Sequence, residues 1–451
     1  MFATRPNLTI RTTQVLGVCL IAGYVLLVQR ASLGDDYNLW GGLVVIPLLV
    51  VLSAHLIVRA GRIENDEVFV RLLVAAFALK ALATVARYMM AFVLYDGVAD
   101  AAGYHEEGAR LAASYRGGDF GADLGADLIG TGFIRALTGV LYAVTGPSIY
   151  VAYACYAWMG FWGLYFFYRA FRVGVPDGDR RRYAVLVLFL PSMLFWPSGL
   201  GKEAWMTLGI GLTALGAARL LAGHRHWMLP LGGGLLATIM VRPHITAALF
   251  AGIAIAVVLR RSHRPNTPLT PLARACVIAA VTAVGFLIVT RAATFLGVDE
   301  VTVSNVDAAI QDTQASTSQG GSEFDAEPVN SPVDLPWAAV SVLFRPFLFE
   351  VHSPQALIAA AEGTVLLALL VMSVPRMRGM LRRLRREPYL IVCLGYTLLF
   401  VYAFSNFSNF GLLTRERVQV LPFVLVFLAL PATNRRHIRE IHRPVHEGIS
   451  A

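Results

Sequence analysis

Four short stretches set charged side chains beside turns in an otherwise apolar chain. Lys202 and Glu203 follow a Pro-Ser-Gly-Leu-Gly turn in FWPSGLGKEAW (195–205), and Arg242 and His244 share MVRPHI (240–245). Arg345, Glu350 and His352 lie in LFRPFLFEVHS (343–353), and Arg415 and Arg417 in LLTRERVQVLPF (412–423). Lys and Arg drawn together from several helix ends suit a phosphate or pyrophosphate, because Arg forms planar paired contacts and Lys supplies a point charge. Lys202 is expected in the first turn of its helix, where free backbone N–H groups favour an anion. The plainer reading of any one cation is a side chain reaching to lipid headgroups. Glu203 has a plainer reading as the ion partner of a neighbour, and His244 and His352 as satisfied polar neighbours.

A fifth stretch, YDGVADAAGYHEEGARLA (95–112), carries a different chemistry. Asp100, with Tyr104 and His105 a helical turn on, could take a proton from a hydroxyl. Asp96 competes for that role, and an Asp ahead of AAGYHEEGARLA also reads as a helix N-cap.

The elements that must position these groups follow from composition. The 451 residues are 57% hydrophobic and 15% charged, with mean hydropathy +0.61, against about 25% charged in soluble domains. Runs near 13–29, 39–59, 72–95, 149–171, 183–199, 203–221, 227–242, 244–260, 271–290, 356–374, 388–405 and 416–432 give about twelve helices fit to span a bilayer. Basic segments at 172–182, 259–274, 376–387 and 434–443 point to the cytoplasm, which sets both termini inside. The five chemical stretches then fall outside. Alternation also keeps 133–146 and 336–350 from crossing, so both are expected as external interfacial helices, the second with a re-entrant segment as the alternative. The acidic stretch 291–335 reads as a spacer. Lys80 and Arg87 sit two turns apart within the third span, on roughly one face.

The net charge of +9 lies mostly in short loops and the tail, as membrane topology and lipid contact require, so no nucleic-acid partner is expected. Cys19, Cys155, Cys276 and Cys393 all fall in apolar runs and read as packing residues. The stretch 13–29 lacks a small-residue cleavage site and reads as a retained first helix. Nucleotide-binding glycine loops, CxxC and HExxH are missing. No cofactor is expected; a divalent ion shared by Asp100, His105 and Glu106 is conceivable, but no metal-ligand spacing points to one.

The order of span 72–95, Asp100, then GTGFIRALTGVLYAVTGPSIYVAYACYAWMGFWGLYFFYRAF resembles the GT-C class of membrane glycosyltransferases over roughly residues 72–172. In that class an early span leads to a large external loop that opens with a catalytic aspartate and continues through interfacial helices. Two departures stand out: the aspartate follows the third span rather than the first, and it is single rather than one of an acidic pair. WPSGLGKE, VRPH, LFRPF and TRERVQVLP also look like bacterial surface-polysaccharide polymerases that hold lipid diphosphates with external arginines. The expectation is therefore an all-α polytopic protein of the bacterial plasma membrane, in five segments. These are an N-terminal hairpin (1–71), a GT-C-like part (72–172) with catalytic loop 96–148, central spans (173–290), an external loop and interfacial helix (291–355), and C-terminal spans with a basic tail (356–451).

The resemblance implies inverting glycosyl transfer from a polyprenyl-(di)phosphate sugar to a cell-envelope glycan or lipid. Asp100, Tyr104 and His105 would be catalytic. Lys202, Arg242, Arg345, Arg415 and Arg417 would hold the donor phosphate, with Glu203, His244, Glu350 and His352 supporting them. A polysaccharide polymerase and, from another class, a lipid-linked-sugar flippase or anion transporter are the alternatives.

Overall fold

Apolar runs free of breakers become helices here, and short polar residues set where they start. Asp36 accepts from the Asn38 and Leu39 N–H groups and starts α2 (Tyr37–Glu64), which follows α1 (Asn7–Gly34). Asp66 does the same for α3 (Glu67–Met89) through Val68 and Phe69. A π-helical turn, Met90–Leu94, extends α3.

The computed structural model describes residues 7–34, 36–260 and 331–431 and isolated positions between 279 and 329, with side chains from residue 21. The basic segments 261–274 and 434–443, most of the expected span 271–290, most of the acidic stretch 291–330, and the Cys19 and Cys276 side chains lie outside the described residues. All elements among the described residues are helical. The order continues with α4 (Asp100–Arg116), α5 (Phe133–Thr145), α6 (Ile149–Gly174), α7 (Arg180–Phe189), α8 (Pro191–Phe195), α9 (Lys202–Ala222), α10 (Met228–Ile239) and α11 (Pro243–Leu259). After the gap come α12 (Leu335–Phe344), α13 (Pro354–Ser373), α14 (Met380–Arg386), α15 (Tyr389–Phe404), α16 (Phe410–Glu416) and α17 (Leu421–Leu428).

Among the described residues, five helical stretches are long and apolar enough to cross a membrane, or six if α14 and α15, bent by 115°, count as one. One of the five, Leu128–Thr145, reaches its length only through a kink at Ile129 and Gly130, where Gly130 has φ 95°. Its regular part, α5, has 13 residues, about 20 Å at 1.5 Å per residue, short of a 30 Å hydrocarbon core. The 26-residue α6 is long enough, but its many Tyr and Trp residues keep it out of the apolar set.

Two expected spans are broken. The stretch 183–199 divides at Leu190 and Pro191 into α7 and the five-residue α8. The stretch 416–432 is α16, a 3-10 turn at Arg417–Gln419, and then the eight-residue α17. In the first, Pro191 lacks an N–H and stops the preceding helix; in the second, Pro422 lies in the first turn of α17, where an N–H would have no helical partner.

The chain divides into two compact units whose bounds cut across the five sequence segments. The first holds residues 1–164, 193–209 and 237–242, and the second 165–192, 210–236 and 243–451. In the first, α5 buries Ile134, Thr138 and Tyr142 along one stripe and packs on α4 so closely that a Cβ on Gly108 would meet Thr138 at 2.6 Å. In the second, α11 packs along α15, and Gly252 approaches the Tyr396 backbone. Tyr183 of α7 stacks on Phe171 and donates to the Pro422 carbonyl at 2.9 Å. Cys155 and Cys393 are free thiols, and Cys393 is buried.

Candidate functional site

The two cations inside α3 fasten the segment that leads to Lys202. Lys80, 2% exposed, donates from Nζ to the carbonyls of Met193 (3.3 Å) and Leu194 (3.1 Å) at the end of α8. Those carbonyls lie near the end of that helix, where intrahelical donors run out, and the Ser198 hydroxyl also donates to the Leu194 carbonyl. Two turns beyond Lys80, the Arg87 guanidinium lies over the rings of Phe195 and Trp196, 5.4 and 4.9 Å from their centroids. The chain then turns past Gly199, where a Cβ would meet Arg87 Cγ at 2.9 Å, and enters α9 at Lys202. Replacing Lys80 by Met is expected to cost about 1–3 kcal/mol by removing a donor from buried carbonyls. The thermal midpoint in detergent checks it; an unchanged midpoint would mean that Lys80 does not hold this turn.

Lys202 is the first residue of α9, and Glu203 behind it is buried. Glu203 Oε1 pairs with Arg242 Nη2 at 3.5 Å, so the turns before α9 and before α11 are tied by an ion pair away from water. The loop that opens with Asp100 is fastened to the same turns. The Gly130 N–H donates to the Met240 carbonyl at 2.8 Å, a contact made in a left-handed conformation that only glycine adopts readily. Next to it the Phe133 and Trp205 rings lie 5.3 Å apart, and Trp205 Nε1 donates to Ala237 O at 2.8 Å.

Asp100 stands at the first helical position of α4, exposed, and the N-cap is Ala99, which offers no side-chain bond. The capping reading of Asp100 is thereby corrected: extended backbone at Ala99 starts the helix, and the carboxylate favours the helix dipole instead. Tyr104 is buried, as core aromatics are. His105 Nδ1 lies 2.7 Å from the Tyr142 hydroxyl. Burial holds the imidazole below its ordinary 6.5, an effect partly offset by the Glu106 carboxylate.

A lowered histidine pKa means the unfolded chain takes up its proton first as pH falls. This stabilising contribution is therefore complete above the ordinary 6.5 and is lost as pH drops from there toward the folded value. The thermal midpoint should fall from pH 7.5 to 5.5, and His105→Asn should flatten part of that fall. An identical slope in the variant would count against the buried imidazole as its source. Among the described residues no three His, Cys, Asp or Glu side chains are placed to hold a metal, so Asp100, His105 and Glu106 do not converge on one.

The second unit places its predicted residues differently. Arg345 pairs side-on with Glu350, with Nε 2.9 and 3.2 Å from the two carboxylate oxygens, and stacks over Phe324 at 4.4 Å. Arg417 is fully buried; Nη1 donates to the Arg345 carbonyl at 2.7 Å, and Nη2 lies 3.8 Å from Glu362 Oε1. Glu362 Oε2 accepts from the Ser192 N–H at 2.6 Å. Arg415 is half-buried, His352 is exposed, and the His244 ring lies 6.5 Å from Phe404. Sequence reasoning missed Glu362 and Tyr142. Glu362 had a signal, a lone carboxylate in the apolar run LIAAAEGTVLL, and such charges ask for a partner. Tyr142 had none beyond an amphipathic stripe.

No protein family, curated protein or solved structure matches the chain. What the site does must come from its own chemistry.

Proposed function

We propose that this chain is a multi-pass protein of the bacterial plasma membrane that transfers a glycosyl group on the external face. The donor is a polyprenyl-phosphate or -diphosphate sugar and the acceptor a cell-envelope glycan or lipid. The membrane part is supported by helices that expose rather than bury their apolar side chains: on α2, Val44, Leu48 and Val51 are 65%, 65% and 68% exposed. Apolar faces of that extent need a partner, and hydrocarbon is the one that fits their length.

One arrangement carries the chemical part. Within the first unit, the loop that opens with an exposed carboxylate is fastened through Gly130 and Phe133 to the turns that carry Lys202 and the Glu203–Arg242 pair. In the reaction, Asp100 takes the proton of the acceptor hydroxyl as its oxygen bonds to the anomeric carbon. The bond from that carbon to the phosphate oxygen breaks from the opposite face, and the lipid phosphate leaves with the electron pair. Lys202, at a helix N-terminus with Arg242 behind it, meets the charge that develops there. Arg345 and Arg417 are committed to Glu350 and Glu362 and serve the fold of the second unit.

The test uses purified protein in liposomes given lipid-linked sugars extracted from the native host. Release of polyprenyl (di)phosphate with the sugar moved to an acceptor supports the reading. Passage of intact lipid-linked sugar across the bilayer, with no sugar–phosphate bond broken, replaces it with a transporter.

A further inference from the structure

A hollow of about 350 Å³ opens in the second unit where α6 and α9 end and α15 begins, within the range of about 300–1,000 Å³ usual for small-molecule pockets. Gly174 closes α6, Ala218 and Ala222 stand in the last turns of α9, and Arg386 and Glu387 lie at the bend between α14 and α15; Asp177 completes the wall. Small residues make the space. Gly174 lies flush on the Tyr389 ring, where a Cβ would meet it at 2.4 Å, and the two alanines keep the α9 side shallow.

Glu387 is the group that this hollow leaves unsatisfied. Its Oε1 lies 3.5 Å from Arg383 Nη1, while Oε2 is buried and meets no hydrogen-bond donor among the described residues. A buried oxygen of that kind asks for a donor. Burial pushes the Glu387 carboxyl up, Arg383 draws it back, and the Asp177 carboxylate adds to the push. Two carboxylates thus face the hollow, and Arg383 pairs with one of them. Arg386, exposed on the rim, supplies the opposite charge.

The depth of the hollow follows from its walls. The 21-residue α9 is about 30 Å long, enough for the hydrocarbon core, so its last turn lies at the level of lipid headgroups. The basic segments 172–182 and 376–387, which form two of the walls, point that layer to the cytoplasm.

We infer that this hollow binds the phosphoethanolamine headgroup of an inner-leaflet aminophospholipid, with the ammonium at Asp177 and Glu387 and the phosphate at Arg386. A primary ammonium brings three N–H donors to the two carboxylates, and Arg meets phosphate oxygens in paired contacts. The charges of Asp177 and Glu387 cancel those of Arg383 and Arg386, which suits a headgroup of no net charge better than an anionic one. The inference needs only the membrane reading of the chain and is independent of glycosyl transfer.

The experiment is native mass spectrometry of the protein released from nanodiscs that hold equal amounts of phosphatidylethanolamine, phosphatidylcholine and phosphatidylglycerol with the same acyl chains. Phosphatidylcholine has the same charges but no ammonium N–H, so it isolates the donors. Phosphatidylethanolamine should be retained roughly tenfold over either rival. Glu387→Gln, and Ala222→Trp, which fills the hollow from an exposed position, should each bring it down to the level of phosphatidylcholine. Equal retention of the three lipids, a preference for phosphatidylglycerol, or an undiminished ethanolamine preference in a folded Ala222→Trp protein overturns the inference. Displacement by excess soluble phosphoethanolamine would sustain the charge recognition but replace the lipid with a free ligand; resistance to it supports the lipid.

Discussion

On the proposed function, Asp100→Asn should leave the protein folded and the donor bound and lower turnover by about 10²–10⁴-fold, the usual contribution of a positioned general base. The substitution is clean because Asp100 is not the cap of α4. Ala99 occupies that position, so the helix keeps its start, and the lost carboxylate–dipole attraction is below about 1 kcal/mol. Asn retains the shape and one acceptor oxygen but cannot hold the acceptor's proton. On the proposed function binding is spared, because the phosphate would be met by the α9 turn and not by α4. The measurement is single-turnover release of lipid phosphate together with equilibrium donor binding. Unchanged turnover would remove Asp100 from the chemistry. Asp96, left-handed at φ 46° just past the π-helical end of α3, would then be tested next.

Arg417→Met should cost about 3–5 kcal/mol of stability, the typical penalty for stranding one member of a buried ion pair. Arg417 has no exposed surface, and its removal leaves the Glu362 carboxylate, held by the Ser192 N–H, without its counter-ion and the Arg345 carbonyl without the Arg417 donor. Adding Glu362→Leu should recover a large part of that loss, because a neutral pair no longer buries a lone charge. Thermal midpoints of the two variants and the double variant in detergent decide it. If Arg417→Met melts like wild type but binds donor weakly, the guanidinium is a donor ligand after all. Lys202 and Arg417 both stand at sequence positions that suggest phosphate, and Arg417 is the one fully buried and paired with Glu362.

The sequence by itself determined the broad outline. Apolar runs bounded by Asp36, Asp66 and Ser353 had to become helices, and they did, because caps and periodicity act within a few residues. Helix was also legible at 133–146, which is α5, and in the first part of 336–350, where α12 ends at Phe344, from apolar residues at helical spacing. The candidate groups could be named for the same reason: a charge in an apolar chain is conspicuous wherever it falls.

Their partners were a different matter. That Arg242 meets Glu203, Arg417 meets Glu362, and Lys80 holds the α8 carbonyls depends on contacts 39, 55 and 113 or 114 residues apart in sequence. No local rule fixes such pairings. The same holds for the breaks in 183–199 and 416–432, where an apolar run reads as one span; in the first, the buried Lys80 meets the carbonyls at the end of α8. Burial separated exposed Asp100 from buried Tyr104 one turn away on the same helix. Local sequence set which residues could carry charge; tertiary packing decided which charges face one another, because desolvation and pairing are properties of neighbours in space rather than in the chain.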